Sequence, residues 1–242
     1  MMHIRDRLEL DALPYALGAI GLGLVTLAVG DFALQWQPVP KSLPAREVLA
    51  LASGALLIAG GLTAAWRGAG LTRLILPAFY ALWVVALHLP VVAGAPNVGN
   101  LLGFAEILAL AAGGSTLARN PASAWLPLAA RIAFGLSALV FGLSHFVYAD
   151  FTATMVPAWI PMPLFWAYAT GTGHTAAGLA ILTEIKARLA ATALTAMCGS
   201  FVLLLHVPRV LADPASRLEW TMLCMALSIT GSALLIRRIL PR

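Results

Sequence analysis

Two histidines of this chain stand in the same short motif, His-x-Pro, each time after an apolar run. The motif occurs at His88 in VVALHLPVV and at His206 in LLLHVPRV. Two further histidines, His145 and His174, lie in apolar stretches without a proline beside them. A neutral imidazole can ligate a metal or haem iron, or hydrogen-bond a quinone carbonyl. These four histidines are therefore the first candidates for chemistry.

Three charged residues are candidates for binding a substrate: Glu106 within an apolar run, and Asp31 and Arg209 near the ends of two others. Ionisable groups are costly inside a bilayer, so each needs a structural or functional reason. The structural alternatives stay open. Glu106 can bond a facing helix, Asp31 can be a boundary residue, and Arg209 can extend to the interface. His88 and His206 can likewise repair the backbone breaks that the following prolines cause.

The composition places the chain among membrane proteins. Of its 242 residues, 61% are hydrophobic and 10% are charged, with a mean hydropathy of +0.90. Soluble domains are about 45–50% apolar and about 25% charged. The net charge of +5 is therefore no argument for a nucleic-acid partner. Cys198 and Cys224 lie in apolar segments and form no C-x-x-C pair, so we expect small buried side chains.

Eight apolar segments approach the roughly 20 residues that a transmembrane helix needs. They lie at about 14–31, 48–66, 74–95, 100–118, 131–148, 163–183, 189–211 and 218–236. The sequence thus predicts an all-α, polytopic membrane protein with eight spans. If the N-terminus is cytoplasmic, 11 of the 15 Lys and Arg residues fall on the inner side and 4 on the outer side. This bias predicts a bacterial-type cytoplasmic (inner) membrane with both termini in the cytoplasm.

The chain also repeats itself. Gly30-Asp31-Phe32 matches Ser144-His145-Phe146, Ser53-Gly54 matches Thr170-Gly171, and His88-x-Pro90 matches His206-x-Pro208. The three offsets are 114, 117 and 118 residues, and the small drift is what loop insertions would produce. Repeats at a nearly constant offset indicate duplicated units, and four spans in each give both units the same orientation. The predicted organisation is a cytoplasmic N-terminus (1–13), a first four-helix unit (14–118), a cytoplasmic linker (119–130), a second unit (131–236) and a basic cytoplasmic tail (237–242).

The polar residues of the spans are one-sided, in the outer third or near the midplane, which predicts a polar region open to the outer leaflet. From the span ends, rise per residue puts His145 and His206 about 5–8 Å deep and His174 about 16 Å deep. Three histidines at those depths do not converge on one ion without tilt, so His145 with His206 is the easier metal pair. The sequence has no zinc-type Cys/His spacing, phosphate loop or nucleophile elbow.

The second half resembles the DoxX and DoxX-like membrane family. The resemblance rests on GLSHF at 142–146, VPAWIPMPLFWAY at 156–168 and the glycine-rich stretch at 171–178, and it extends over 131–236. The first half looks like a diverged copy. Many relatives have a glutamate in the second helix where this chain has His174, which puts acid-dependent chemistry in doubt. The family includes subunits similar to those of thiosulfate:quinone oxidoreductase, besides assembly proteins.

These observations lead to one functional hypothesis and two alternatives. The hypothesis is a membrane subunit of a redox system, such as a quinone-linked oxidoreductase, that binds a quinone, a similar lipid-soluble redox molecule or haem near the outer leaflet. His145, His174, His206 and His88 would give the polar contacts, with Trp159, Phe165 and Trp166 as apolar walls. Electrons would come from a partner subunit. The alternatives are a small-solute or proton-coupled transporter, and a non-catalytic membrane anchor or assembly factor. The oligomeric state is not readable from the sequence.

Overall fold

The computed structural model describes residues 8–117 and 125–241, and within these ranges the chain is helical and has no strand. We number the α-helices along the chain. They are α1 (Leu13–Val29), α2 (Arg46–Ala65), α3 (Ile75–Trp83 and Leu89–Gly94), α4 (Val98–Ser115), α5 (Trp125–Val147), α6 (Ala149–Met155), α7 (Pro163–Thr183), α8 (Ala187–Phe201 and Val207–Ala212) and α9 (Arg217–Ile236). Short 3-10 helices lie at Leu10–Ala12, Leu34–Trp36, Arg67–Leu74 and Arg237–Ile239.

Seven stretches of the described residues are long and apolar enough to cross a membrane. The chain is therefore a multi-pass helical membrane protein. The stretch at 163–183, which the sequence predicts as an eighth span, is not among the seven. Its helix, α7, has 21 residues and the predicted bounds. It is less apolar because Thr170, Thr172, His174 and Thr175 are interspersed with glycines at its centre.

Both His-x-Pro motifs follow the same irregularity in their helices. A five-residue π-helical segment ends at His88 in α3, and another ends at His206 in α8. A proline in a helix removes one N–H and clashes with the carbonyl four residues earlier. Widening the helix by one residue per turn relieves that clash, and such π segments are frequent at functional sites. The motif thus marks a local change of helix geometry in both halves.

The helices pack in a pattern that is nearly the same in the two halves. In the first half α1 packs on α2, α2 on α3, and α3 on α4; in the second half α5 packs on α7, α7 on α8, and α8 on α9. The halves meet where α1 packs on α9 and α4 packs on α5 and α9. The fourth helix of each half therefore lies at the centre of the molecule.

Glycines set the closest helix contacts in each half. A Cβ at Gly54 in α2 would lie 3.0 Å from the Gly23 carbonyl oxygen of α1, and one at Gly178 in α7 would lie 2.9 Å from the Gly135 carbonyl oxygen of α5. Small residues at such crossings let two helix backbones approach closely. This is the role that the sequence predicts for the small residues of the second span.

The glycine contacts align the first helices of the two halves at an offset that differs from the one given by the sequence match. Gly171 in α7 packs on Gly142 in α5 as Gly54 packs on Gly23. Gly23 and Gly142 are 119 residues apart. Asp31 then corresponds to Asp150, and not to His145 as the sequence match suggests. The helix crossing and not the short Gly-Asp-Phe likeness decides the equivalence.

Parts of the sequence prediction lie outside the described residues. These are most of the N-terminal segment 1–13, the first half of the linker 119–130, the C-terminal residue, and the cations Arg5, Arg7, Arg119 and Arg242. The second half of the predicted linker is helical, because α5 begins at Trp125. Both cysteines are free and buried, as expected.

Candidate functional site

A cavity of about 590 Å³ lies in the second half of the molecule. Helices α4, α5, α7, α8 and α9 contribute to its wall, and α6 with the segment 156–160 covers one end. The carboxyl and imidazole groups of its lining belong to Glu106, His145, His174 and His206. Most of the other lining side chains are apolar, and the hydroxyl-bearing ones are Ser144, Tyr148, Thr152, Thr170 and Ser200. Lining residues Phe151 and Leu204 are 66% and 40% exposed on the molecular surface, so the cavity opens there. This volume lies within the range of small-molecule sites, which measure about 300–1,000 Å³.

His145 and His174 meet inside the cavity. Their ring centroids are 5.0 Å apart at 45°, and Phe201 of α8 lies 6.5 Å from His145 and 6.3 Å from His174. The separate depths that the sequence predicts for the two histidines are wrong. With about 1.5 Å of rise per residue, their contact requires α7 to begin roughly 13 Å farther out than α5 ends. The long connection through α6 allows this offset.

Two of the imidazoles keep an unused nitrogen. His174 is 4% exposed and His206 is 8% exposed, and the Nδ1 atom of each has no hydrogen-bond partner among the described residues. Leaving a buried polar atom unpaired typically costs about 1–3 kcal/mol. His145 differs, because its Nδ1–H donates to the Phe141 carbonyl oxygen at 2.8 Å. The cavity thus concentrates polar groups whose hydrogen bonding is incomplete.

Trp36 lines the same cavity and hydrogen-bonds to two predicted polar residues of the first half, Glu106 and His88. Its indole Nε1–H donates to Glu106 Oε2 at 2.7 Å, and its carbonyl oxygen accepts from His88 Nε2 at 2.9 Å. His88 is therefore buried and hydrogen-bonded, away from the cavity lining. Its twin in the sequence motif, His206, faces the cavity. The two His-x-Pro histidines share a backbone geometry but differ in their partners.

Asp31 and Arg209 lie in ion pairs and do not line the cavity. Asp31 pairs with Arg46 at 2.7 Å and with Arg217 at 3.7 Å. Partial burial raises the pKa of Asp31, but the Phe32 N–H and the charges of Arg46 and Arg217 outweigh it, so the pKa is below its usual range. Arg209 donates two hydrogen bonds to Glu219, at 2.8 and 2.7 Å. Their predicted role in substrate binding stays a prediction.

The cavity also contains residues that the sequence does not single out. Trp36, Phe201 and a group of sulfur-containing side chains line it. The latter are Met155, Met197, Cys198, Met222 and Met225. Methionine is flexible and polarisable, and it suits surfaces that adapt to a ligand. The sequence signal for Phe201 is its position five residues before the His206 motif. Trp166 lines the cavity as predicted, whereas Trp159 and Phe165 do not.

The described residues include no group of three or more His, Cys, Asp and Glu side chains arranged to hold a metal ion. A haem between His145 and His174 also fits poorly. Each axial nitrogen lies about 2 Å from a bound metal, so two axial rings need centroids roughly 6 Å apart on opposite sides of the porphyrin. The observed pair is closer. A single axial ligand from His174 or His206 remains compatible with the geometry.

Comparison with known families agrees with the sequence resemblance. Residues 126–207 match the DoxX family model, which covers α5 through the π segment of α8 and so most of the cavity wall. The resemblance predicted from the sequence motifs is thus confirmed for the second half of the chain. No curated protein and no solved structure matches the chain.

Replacing each His-x-Pro histidine by alanine separates their roles. We expect His88→Ala to lower the free energy of unfolding by about 1–3 kcal/mol, because the buried Trp36 carbonyl loses its donor. We expect His206→Ala to lower the free energy of unfolding by less than about half of that amount. His206 Nδ1 has no hydrogen-bond partner among the described residues, so the substitution breaks no bond there. Thermal unfolding in detergent, followed by tryptophan fluorescence, measures both. An equal loss of stability in the two variants contradicts the assignment.

Proposed function

We propose that this chain, whose second half carries a DoxX domain at residues 126–207, binds a quinone in the cavity and serves as the membrane subunit of a redox system. The observation that carries the proposal is the juxtaposition of aromatic and imidazole rings in an apolar cavity that opens at the surface of the helix bundle. A quinone has a flat polar head and a long apolar tail. The cavity has aromatic and imidazole rings to contact the head and apolar side chains to contact the tail.

The aromatic lining favours a planar head group. Phe141 and His174 contact edge to face with centroids 5.5 Å apart, and the His145 ring is inclined by only 24° to Phe201. Aromatic rings prefer offset-stacked or edge-to-face neighbours at centroid distances of about 4.5–7 Å. A ligand ring finds partners of both kinds in the cavity. The methionines can adjust to a tail of irregular shape.

The charges of the cavity argue against a small oxyanion such as thiosulfate. Among the described lining residues there is no lysine or arginine, and the only acidic side chain is Glu106. Burying an anion without a cation or several donors is strongly unfavourable. A neutral, lipid-soluble molecule fits the electrostatics better. This distinguishes the quinone from the other redox molecule that the family resemblance suggests.

The chain needs a redox partner to complete a reaction. Its two cysteines are unpaired and buried in different helices, so they offer no exchangeable thiol pair. The role of this subunit is to bind, orient and protonate or deprotonate the ligand. Glu106, His145, His174 and His206 are the groups that can exchange protons with it. Electrons would have to be exchanged with a partner subunit.

Ligand retention tests the proposal. The protein is isolated in native-lipid nanodiscs and extracted with organic solvent, and quinones are quantified by chromatography. We expect about one quinone per chain. Ala169→Trp places a large side chain in the cavity wall and should reduce retention at least fivefold, because the ligand loses its space. Ala196→Trp, on the exposed face of α8, is the matched control and should retain the wild-type amount.

Quinone at trace level in the wild type would contradict the proposal, as would equal retention in the two tryptophan variants. The latter result assigns the quinone to the surrounding lipid and not to the cavity.

We also propose that α7 is an eighth span, that the halves are two parallel four-helix units, and that both termini lie in the cytoplasm of an inner membrane. Ion pairs support the even number. Glu9 pairs with Arg73 and Arg238 at one end of the bundle, and Asp31 pairs with Arg217 at the other. The chain must therefore cross an odd number of times between Arg73 and Arg217. Helices α3, α4, α5, α7 and α8 give five crossings only if α7 spans.

Cysteine labelling in intact cells tests this topology. We expect Lys41→Cys and Asp213→Cys to react with a membrane-impermeant maleimide, and Lys186→Cys to react only after permeabilisation. The wild type is the control, because Cys198 and Cys224 are buried. Reaction of the Lys41 and Asp213 variants from opposite sides would show that α7 does not cross.

A further inference from the structure

The His145 side chain has a fixed proton position. Its Nδ1 lies 2.8 Å from the Phe141 carbonyl oxygen, and a carbonyl oxygen can only accept. Nδ1 must therefore carry the hydrogen. A neutral imidazole has one N–H and one lone pair, so the lone pair belongs to Nε2. None of the carboxylates in the described ranges forms an ion pair with His145, so no partner there stabilises a doubly protonated ring.

The local fold holds this ring in place. The Phe141 carbonyl belongs to the preceding turn of α5, so the hydrogen bond ties the ring to its own helix. Gly171 lets α7 approach the same turn, since a Cβ there would lie 2.9 Å from His145 Cβ. His174 and Phe201 cover the ring from two sides. A ring flip would break the Phe141 hydrogen bond within this packed group, so Nε2 remains the acceptor that the cavity offers.

We infer that the cavity recognises the reduced, hydroxyl-bearing form of its ligand: a hydroquinone whose O–H donates to Nε2 of His145. The inference rests on the proposed function and specifies the redox state of the ligand. A quinone carbonyl at the same position brings its lone pair against the lone pair of Nε2 and forms no hydrogen bond. A hydroxyl forms one, and this hydrogen bond holds the ligand ring beside the imidazole.

The other polar groups of the cavity do not impose the opposite preference. His174 Nδ1 and His206 Nδ1 have no partner among the described residues, so either nitrogen can donate or accept according to its tautomer. Glu106 already accepts from Trp36 at Oε2, and its remaining oxygen accepts when ionised. Ser144, Thr170 and Ser200 donate their hydroxyl hydrogens to backbone carbonyls, so they too offer only lone pairs. Among Glu106 and the three histidines of the lining, His145 is the one whose role a neighbour fixes, so it can discriminate between a hydroxyl and a carbonyl.

Three matched ligands test the inference on the full chain in lipid nanodiscs, under anaerobic conditions. They are duroquinol, duroquinone and the dimethyl ether of duroquinol, which keeps the ring but cannot donate. Quenching of the cavity tryptophans, Trp36 and Trp166, reports binding. We expect duroquinol to bind at least tenfold more tightly than the other two, since each 1.4 kcal/mol is tenfold in affinity and an unmatched buried polar atom costs about 1–3 kcal/mol.

Two variants separate hydrogen bonding from stacking. His145→Phe keeps an aromatic ring and removes the acceptor, so the preference for duroquinol should disappear. Phe201→Leu removes a stacking partner and keeps the acceptor, so all three ligands should weaken by similar factors while the preference remains. The wild-type comparison stands even if one variant does not fold.

Equal binding of duroquinol and its ether to the wild type would overturn the inference. So would a preference that survives in His145→Phe. In both cases the cavity still binds the ring, and the proposed function stands. If none of the three ligands binds, the proposed function fails together with the inference.

Discussion

The cost of an unpartnered polar group among apolar side chains governs this structure. Water is absent from the hydrocarbon core of a bilayer, so each buried donor or acceptor needs a partner within the protein. Most of the charged side chains satisfy this demand in pairs. Arg209 has Glu219, and Asp31 has Arg46. His88 has the Trp36 carbonyl. Several hydroxyls without a hydrogen-bond partner among the described residues, such as those of Tyr15 and Ser232, lie in the packed interior. The two imidazole nitrogens without a partner among the described residues, in contrast, belong to histidines that line a cavity.

The same helix arrangement gives a closed half and an open half. At the offsets of the repeated motifs, Phe201 corresponds to Trp83 and His174 corresponds to Leu57. Trp83 and Leu57 are 2% and 0% exposed, and with Trp36 they belong to one apolar core cluster. Bulky apolar side chains thus fill the first half where the second half has a cavity. The first half contributes a packed core, and the second half contributes most of the cavity wall.

Much of the helical architecture follows from the sequence, because apolar length is enough to predict a span. The bounds of α7 and the ends of α2 and α9 agree with the prediction within a few residues. The site was only partly predictable. The sequence selects His145, His174 and His206, since histidines are rare in apolar segments. It cannot show that His145 and His174 touch, because that depends on how far α7 is displaced along α5. Nor can it identify Trp36 as the donor to Glu106, a contact across 70 residues.

The decisive measurement is a structure of the protein in native-lipid nanodiscs. We expect planar density in the cavity beside Phe201, with one edge within hydrogen-bond distance of His145 Nε2. Side chains filling that volume, or His145 and His174 turned apart toward the lipid, would contradict it and leave the chain without a binding site at this position.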